Sequence, residues 1–348
     1  MTLIYFIIVL GVTVLIHEFG HFIFAKKAGV YVYEFSIGMG PKLFNFKRKN
    51  DETVYSIRLF PIGGFVSMAG EDMEDKQGEN SIPSDRQLCN KPWINRFMTI
   101  IAGVLFNFLL AFVILFVIGL VNGSNIGKTY VADVEEDYPA YNILFEGDEI
   151  TAINGKKINN AERLALELQV NSGKEISLTV KSKFGDIRTE KITPKKIEDG
   201  KNTSYLYGFS ITTNVKYGFF EAIKYAFVKI YNLLEQMVLI IVYLCTGKLS
   251  LNSLSGPIGI FKIVDESAKA GILSILYLIA YLCINVGFIN LIPLPAFDGG
   301  RALFLVIEKI KGSRVKPEIE NTIHSVGFIL LMILMIVVSW NDILRIFS

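Results

Sequence analysis

The sequence predicts a multi-pass α-helical membrane protein that carries a small membrane-associated β-hairpin and one inserted α/β domain. Three observations predict it. The 348 residues are 51% hydrophobic with a mean hydropathy of +0.43, too apolar for an ordinary soluble domain, yet 20% are charged, too many for a chain buried in lipid throughout. Long apolar runs recur at about 3–25, 97–121, 272–291 and 325–339, each a candidate span. Between the second and third lies a charged, turn-rich block at 124–200 that belongs in water. Net charge is +2, so no strong field argues for nucleic acid as a partner. Cys89, Cys245 and Cys283 are scattered without a C-x-x-C pair and read as free thiols.

The first run, Leu3 to Ala25, is long enough to cross a core of about 30 Å. It continues to Lys26-Lys27 with no A-x-A-like cleavage site, so it reads as a retained span, not a signal peptide. Inside it stands His17-Glu18-Phe19-Gly20-His21, an H-E-x-x-H motif. On a helix the two imidazoles project from one face, about 6 Å apart along the axis. That spacing can hold one zinc, and Glu18 can act as general base on a water at the metal. The bland alternative is two polar residues facing a helix bundle, but ionisable groups in a span are costly without a partner or a task. His324 has no such neighbour and reads as a polar residue at the start of the last apolar helix.

The loop at roughly 26–96 contains Lys42, Lys47, Arg48, Lys49, Arg58, Arg86, Lys91 and Arg96 and is basic near both flanking spans, which places it in the cytoplasm and the N-terminus outside. Within it, Val54 to Met68 reads as two short β runs around Pro61-Ile62-Gly63-Gly64. The apolar tip, Phe60 to Phe65, favours a hairpin dipping toward the membrane over a plain surface hairpin. The second run, Phe97 to Val121, carries Gly103 and Asn107 one turn apart, a spacing that suits close helix packing. Asn107 either bonds toward the motif or bridges helices.

In the polar block, Tyr130–Val134 alternates like a strand, Asn154-Gly155 is a tight-turn signal, and Asn159 before Glu162 marks a helix start. Strands at Ile176–Val180 and Ile187–Ile192 flank a turn at Phe184-Gly185-Asp186. The run Pro139, Ala140, Leu144, Gly147, Asp148, Ile150, Ile153, Asn154, Gly155, Ile158 resembles a PDZ domain, a fold that binds extended peptide as an added strand. A small α/β spacer without ligand is the alternative. Residues 201–260 read as a helical linker. Its stretch from Tyr217 to Thr246 mixes charges with aromatics and reads as interfacial or partly inserted. Residues 261–348 form the second half of the membrane core.

The third run is broken at Asn290-Leu291-Ile292-Pro293-Leu294-Pro295-Ala296-Phe297-Asp298-Gly299-Gly300, since proline cannot continue a helix interior. The basic loop after it is again cytoplasmic. His17 lies about 21 Å down the first helix, two-thirds through the core, and Asp298 comes at the end of a helix of the same direction. Both arrive at matching depth, which favours Asp298 as the third ligand over a simple helix cap or turn residue.

These motifs together resemble the site-2 protease family, in its group of bacterial regulators of sigma-factor signalling. The resemblance rests on His17, Glu18 and His21, on N-x-x-P-x-P-x-x-D-G at Asn290, Pro293, Pro295, Asp298 and Gly299, and on Gly103, Asn107 and Gly63-Gly64-Phe65-Val66. It also covers the PDZ-like insert and Leu254-Ser255-Gly256-Pro257-Ile258-Gly259. It implies four spans in a bacterial cytoplasmic membrane and one zinc ion per chain held by His17, His21 and Asp298. Both termini and the PDZ-like domain would lie outside, with the active site near the cytoplasmic side. It implies a metalloendopeptidase that cuts transmembrane substrates. Asn290 is expected to bind the substrate backbone or the oxyanion, and Asn107, Gly63, Gly64 and Phe65 are further candidates for contact with substrate. Some relatives carry two PDZ domains; this chain has room for one. A metal-binding transporter would spread its polar residues along a path, and a PDZ-bearing scaffold would not need Glu18.

Overall fold

The computed structural model describes residues 1–71, 82–199, 202–250 and 256–347. The chain divides into two compact units: Met1–Ile114 with Ser255–Arg345, and Leu115–Leu254 with Ile346–Ser348. Five helices among the described residues are long and apolar enough to cross a membrane.

In the first unit, α1 (Thr2–Lys27) buries Phe6, Val9, Thr13, His17, Gly20, His21 and Ala25, a spacing mostly of three and four that puts both histidines of the H-E-x-x-H motif on its packed face. Lys26 and Lys27 close the last turn, where cations suit the helix dipole. The helix packs on α2 (Trp93–Asn122) in backbone contact: a Cβ at Gly20 would lie 2.4 Å from the Ala102 carbonyl oxygen. Two long strands follow α1, β1 (Val32–Lys47) and β2 (Val54–Met68). The turn expected inside 54–68 does not divide that stretch, which is one strand whose partner lies upstream. The sheet is folded back on itself. Residues 54–57 pair with 44–47 on one side and 34–37 on the other, and 34–37 pairs also with 64–67. Residues 64–68 thus form an outer edge.

The third expected span is α6 (Ile272–Leu291). Three helices around it are longer than expected or new. Before it stands α5 (Pro257–Ala270), with proline at its first turn, where a missing N–H costs nothing. After the Pro loop, α7 (Asp298–Lys311) starts at Asp298 itself. The last helix, α8 (Pro317–Phe347), runs well beyond 325–339 at both ends. From α8 the buried Asp342 carboxylate accepts the Gly259 amide at 2.9 Å, so it caps α5 at the Gly256-Pro257-Ile258-Gly259 turn; Leu254 and Ser255 of that motif lie outside the described residues.

In the second unit a sheet has strand order β10-β3-β4-β6-β7, built from β3 (Thr129–Val134), β4 (Glu149–Ile153), β6 (Ile176–Lys181), β7 (Ile187–Ile192) and β10 (Phe209–Thr213). The short β5 (Lys156–Lys157) pairs with β4 across Asn154-Gly155, both at positive φ as that turn requires. A separate hairpin joins β8 (Lys195–Asp199) to β9 (Asn202–Leu206). The domain therefore extends past the expected boundary at 200: β10 returns to pair with β3, a non-local closure that a strand of only five residues does not advertise. Helix α3 (Ala161–Val170) is capped by Asn160, whose side chain accepts the Arg163 amide, one residue after the expected cap. The core is Val131, Leu144, Ile150, Ile153, Leu164, Ile176, Leu178 and Val180.

The stretch expected to be an interfacial or partly inserted helix is α4 (Phe219–Cys245). Its Lys229, Asn232 and Gln236 bond to Glu162 at the start of α3. Its Leu239, Ile240, Tyr243 and Leu244 pack with Leu166 and Val170 further along α3. The buried Glu167 carboxylate between the two helices receives Lys156 at 2.7 Å, Arg163 at 3.1 Å and the Tyr243 hydroxyl.

Candidate metal centre

Helix geometry brings His17 and His21 of α1 together, with their rings edge to face. Their Nε2 atoms are 3.2 Å apart. The Pro loop after α6 delivers Asp298, whose Oδ2 lies 3.1 Å from His17 Nε2 and 3.3 Å from His21 Nε2. Two glycines make this delivery possible. A Cβ at Gly299 would sit 2.3 Å from the Ile292 carbonyl oxygen, and one at Gly300 would sit 2.4 Å from that of Leu294. His324 of α8 holds the same loop: its Nδ1 accepts the amide of Ala296, a residue at φ 74°.

The donor set fits a zinc ion. Donors about 2.0–2.1 Å from a tetrahedral metal are about 3.3 Å from one another, close to all three edges measured here. Asp298 Oδ2 is buried and has no hydrogen-bond donor among the described residues, so three acceptor atoms converge on one point with no described cation to neutralise them. The outer nitrogens of both rings face α2. His21 Nδ1 is 2.8 Å from the Thr99 carbonyl, which can only accept, so that nitrogen carries the proton and leaves the Nε2 lone pair free. His17 Nδ1 faces the fully buried Asn107 amide at 3.3 Å, with the Asn107 Oδ1 left unpartnered among the described residues. Turning the amide end for end places Oδ1 on the Nδ1 proton and satisfies both groups. Between these contacts lies Gly103, where a Cβ would be 2.4 Å from His21 Nε2.

Glu18 is half-buried and makes no hydrogen bond among the described residues. It stands beside the sheet edge, its Cγ 3.6 Å from where a Gly64 Cβ would be. Gly64 cannot carry that atom, since it would also lie 2.7 Å from the Ser36 carbonyl oxygen. Of the other expected contact residues, Gly63 is at φ 92° against Met39, and the Phe65 ring lies under the Arg58 guanidinium at 4.8 Å. Asn290 sits half-buried in the last turn of α6, with no hydrogen bond among the described residues. Arg301, one turn into α7, pairs with Glu71. Sequence reasoning missed His324 and the Thr99 carbonyl. The first offered only its rarity among three histidines, and the second is a backbone group that leaves no trace in residue type.

The family described as Peptidase family M50 matches residues 5–334. The zinc metalloprotease RasP of Shouchella clausii is 34% identical over 426 aligned positions, covering 100% of both chains. The regulator of sigma-W protease RasP of Bacillus subtilis is 33% identical over 421 positions, covering 99% of each. Among solved structures, the PDZ domain of an SdrC-like protein from Listeria innocua aligns with 25% of this chain and 96% of its own at 24% identity, with a TM-score of 0.22.

Proposed function

We propose, for a chain that belongs to peptidase family M50 and is a zinc metalloprotease, that it hydrolyses a peptide bond in or near a transmembrane segment of a membrane-protein substrate. The observation that carries this reading is the converging triangle of His17, His21 and Asp298 with Glu18 beside it, on a helix apolar enough to span a membrane. These three residues would hold one zinc per chain. When bound, the metal supplies Lewis acidity, which polarises a carbonyl and makes water a stronger acid. Glu18 accepts the proton of the attacking water on a carboxylate oxygen and returns it to the leaving amine nitrogen. The Thr99 carbonyl and the Asn107 amide keep the two imidazoles oriented. Asn290 binds the substrate backbone or the developing oxyanion.

A transmembrane helix has its amides bonded internally, so it must unwind to be cut. The outer edge at 64–68 passes Glu18 at Gly64, between Gly63 and Phe65 in the chain, and we assign it the task of holding unwound substrate as an added strand. In the second unit β10 pairs, among the described residues, with β3 on one side only, and a cavity of about 390 Å³ lies between it and α3, lined in part by Leu164, Leu168, Tyr207 and Phe209. That groove suits an extended peptide, which would let the PDZ-like domain admit substrates already trimmed outside. The cut is then the second step of regulated intramembrane proteolysis, such as release of a sigma factor from a membrane anti-sigma factor.

For topology we assign four spans, α1, α2, α6 and α8, with both termini and the PDZ-like domain outside the cytoplasm of a bacterial membrane. The support for leaving α4 out is its packing along α3 from Lys229 to Leu244, since a helix laid along a water-exposed domain is not free to cross lipid. The test is cleavage of a single-span substrate co-expressed with wild type, Glu18→Gln and Asp298→Asn, with zinc measured on each purified protein. Glu18→Gln is expected to keep zinc and lose cleavage, and Asp298→Asn to lose both. Cleavage retained by Glu18→Gln would sink the proton-transfer assignment.

A further inference from the structure

Where α2 leaves its apolar run, the residues that lead into and out of the inserted domain enclose a cavity of about 200 Å³. Its lining includes Ser124, Lys128, Tyr130, Lys216, Glu221 and Lys224. The frame is fixed: Ser124 and Lys216 exchange both backbone hydrogen bonds, at 2.7 and 3.1 Å. Gly123 at φ 76° turns the chain tightly against Val215 and Tyr217.

The charges in this frame are not balanced internally. Lys128 is taken by Glu149 at 2.8 Å. Among the described residues Lys216 and Lys224 have no carboxylate partner, and Glu221 has no cation. Ser124 is 2% exposed, and its hydroxyl has no hydrogen-bond partner among the described residues, a condition native structures seldom leave unexplained. The cavity therefore offers two free ammonium groups, one free carboxylate and a spare hydroxyl.

Its position points to the occupant. Helix α2 ends at Asn122 and α4 begins at Phe219, and beside the cavity Tyr217, Phe219 and Phe220 are 72%, 59% and 82% exposed. Exposed aromatic rings at the end of a span mark the level of the lipid headgroups. We propose that this cavity binds the phosphodiester of an anionic phospholipid headgroup that carries hydroxyl groups. Lys216 and Lys224 hold the phosphate, and Glu221 accepts from a headgroup hydroxyl. Phosphatidylglycerol has this chemistry. A zwitterionic choline headgroup does not, because it has no hydroxyl for Glu221 and its own cation opposes the lysines.

The test uses the full-length protein in detergent, titrated with phosphatidylglycerol, with phosphatidylcholine and with inorganic phosphate, and read by native mass spectrometry. The variants are Lys216→Gln/Lys224→Gln and, as an equal loss of charge elsewhere on the domain, Lys174→Gln/Lys191→Gln. All four lysines are exposed, so neither pair endangers folding. Wild type is expected to prefer phosphatidylglycerol. The first pair should weaken it about thirty-fold, from roughly five-fold per lysine at a lipid headgroup, and the second should stay within about two-fold. Displacement of the lipid by millimolar inorganic phosphate supports a phosphate site that free phosphate can also fill; no displacement assigns the site to the whole headgroup. Equal binding of phosphatidylcholine, or equal loss in both variant pairs, overturns the proposal.

Discussion

A single methyl group at position 103 tests the metal centre from behind. A Cβ on Gly103 would lie 2.4 Å from His21 Nε2, 2.7 Å from His17 Cε1 and 2.9 Å from His17 Nδ1. Ordinary contacts begin near 3.4 Å, so roughly 1 Å must be found. The rings cannot supply it cheaply, because His21 is held by the Thr99 carbonyl at 2.8 Å and His17 by Asn107 at 3.3 Å. Nor can α2 back away without drawing both of those partners with it. Metal–ligand distances tolerate about 0.2 Å, a misplacement of about 1 Å can cost on the order of a hundred-fold in rate, and disturbing the outer partners of metal ligands costs up to about a hundred-fold in metal affinity. Gly103→Ala should therefore weaken zinc binding about a hundred-fold in a competitive chelator titration and abolish cleavage. Overpacking should lower stability by about 1–3 kcal/mol. Gly287→Ala is the control: its Cβ would meet only the rim of the Phe108 ring, at 3.1 Å, and that ring can turn. If Gly103→Ala binds zinc as tightly as wild type, the rings are not where the structure puts them.

The other predictions concern the supports of the site. His324→Leu removes the acceptor that holds Ala296 at φ 74°, two residues before Asp298. Zinc affinity should fall about ten-fold, the low end for an outer partner of a metal ligand, and Ala296→Gly should restore part of it, because glycine accepts that backbone freely. Absence of any rescue in the double variant would refute the strain argument. Burial raises the Glu34 carboxyl, but hydrogen bonds from Lys42, Ser56 and Arg58 outweigh it and leave the group below the ordinary carboxylate range. The stability Glu34 lends to the sheet is thus present above about pH 4.3, its unfolded value, and lost as pH falls through the lower folded value. The difference in thermal stability between wild type and Glu34→Gln should be constant from pH 7 to 5 and close below pH 4; a gap that widens in acid would reverse the sign. Asp342→Leu uncaps α5 and should cost about 1–2 kcal/mol in thermal unfolding, with Asp342→Asn costing less; equal stability of all three would show the cap to be idle.

What could be read in advance followed locality. The i, i+4 pair of α1 is a local pattern on an apolar helix, and the run 272–291 has no competing signal, so both stood out in the sequence. The strand β1 did not, because Gly38, Gly40 and Pro41 interrupt any alternation and its identity comes from pairing with 54–68. The start of α7 was hidden for a different reason. Asp298-Gly299-Gly300 reads as a stop signal, yet the glycines are there because any side chain would strike the carbonyls of the Pro loop. The end of the inserted domain was misplaced because β10 is defined by its distant partner β3.

Asn107 shows how far the remaining ambiguity could be narrowed. As a residue type it fits helix packing and site chemistry equally well. Its spacing carries more: Thr99, Gly103 and Asn107 recur every four residues and form one stripe on α2. Opposite them on α1 stand His17, Gly20 and His21. The outer stripe positions reach the outer nitrogens of the two rings, and the glycines stand where the helices meet most closely. A pair of histidines that presents Nε2 to a metal needs an acceptor behind each Nδ1. One comes from a backbone carbonyl, and the other must come from a side chain at the matching step of the facing helix. Asn107 occupies that step, and turned end for end its amide puts the otherwise orphaned Oδ1 on the His17 Nδ1 proton.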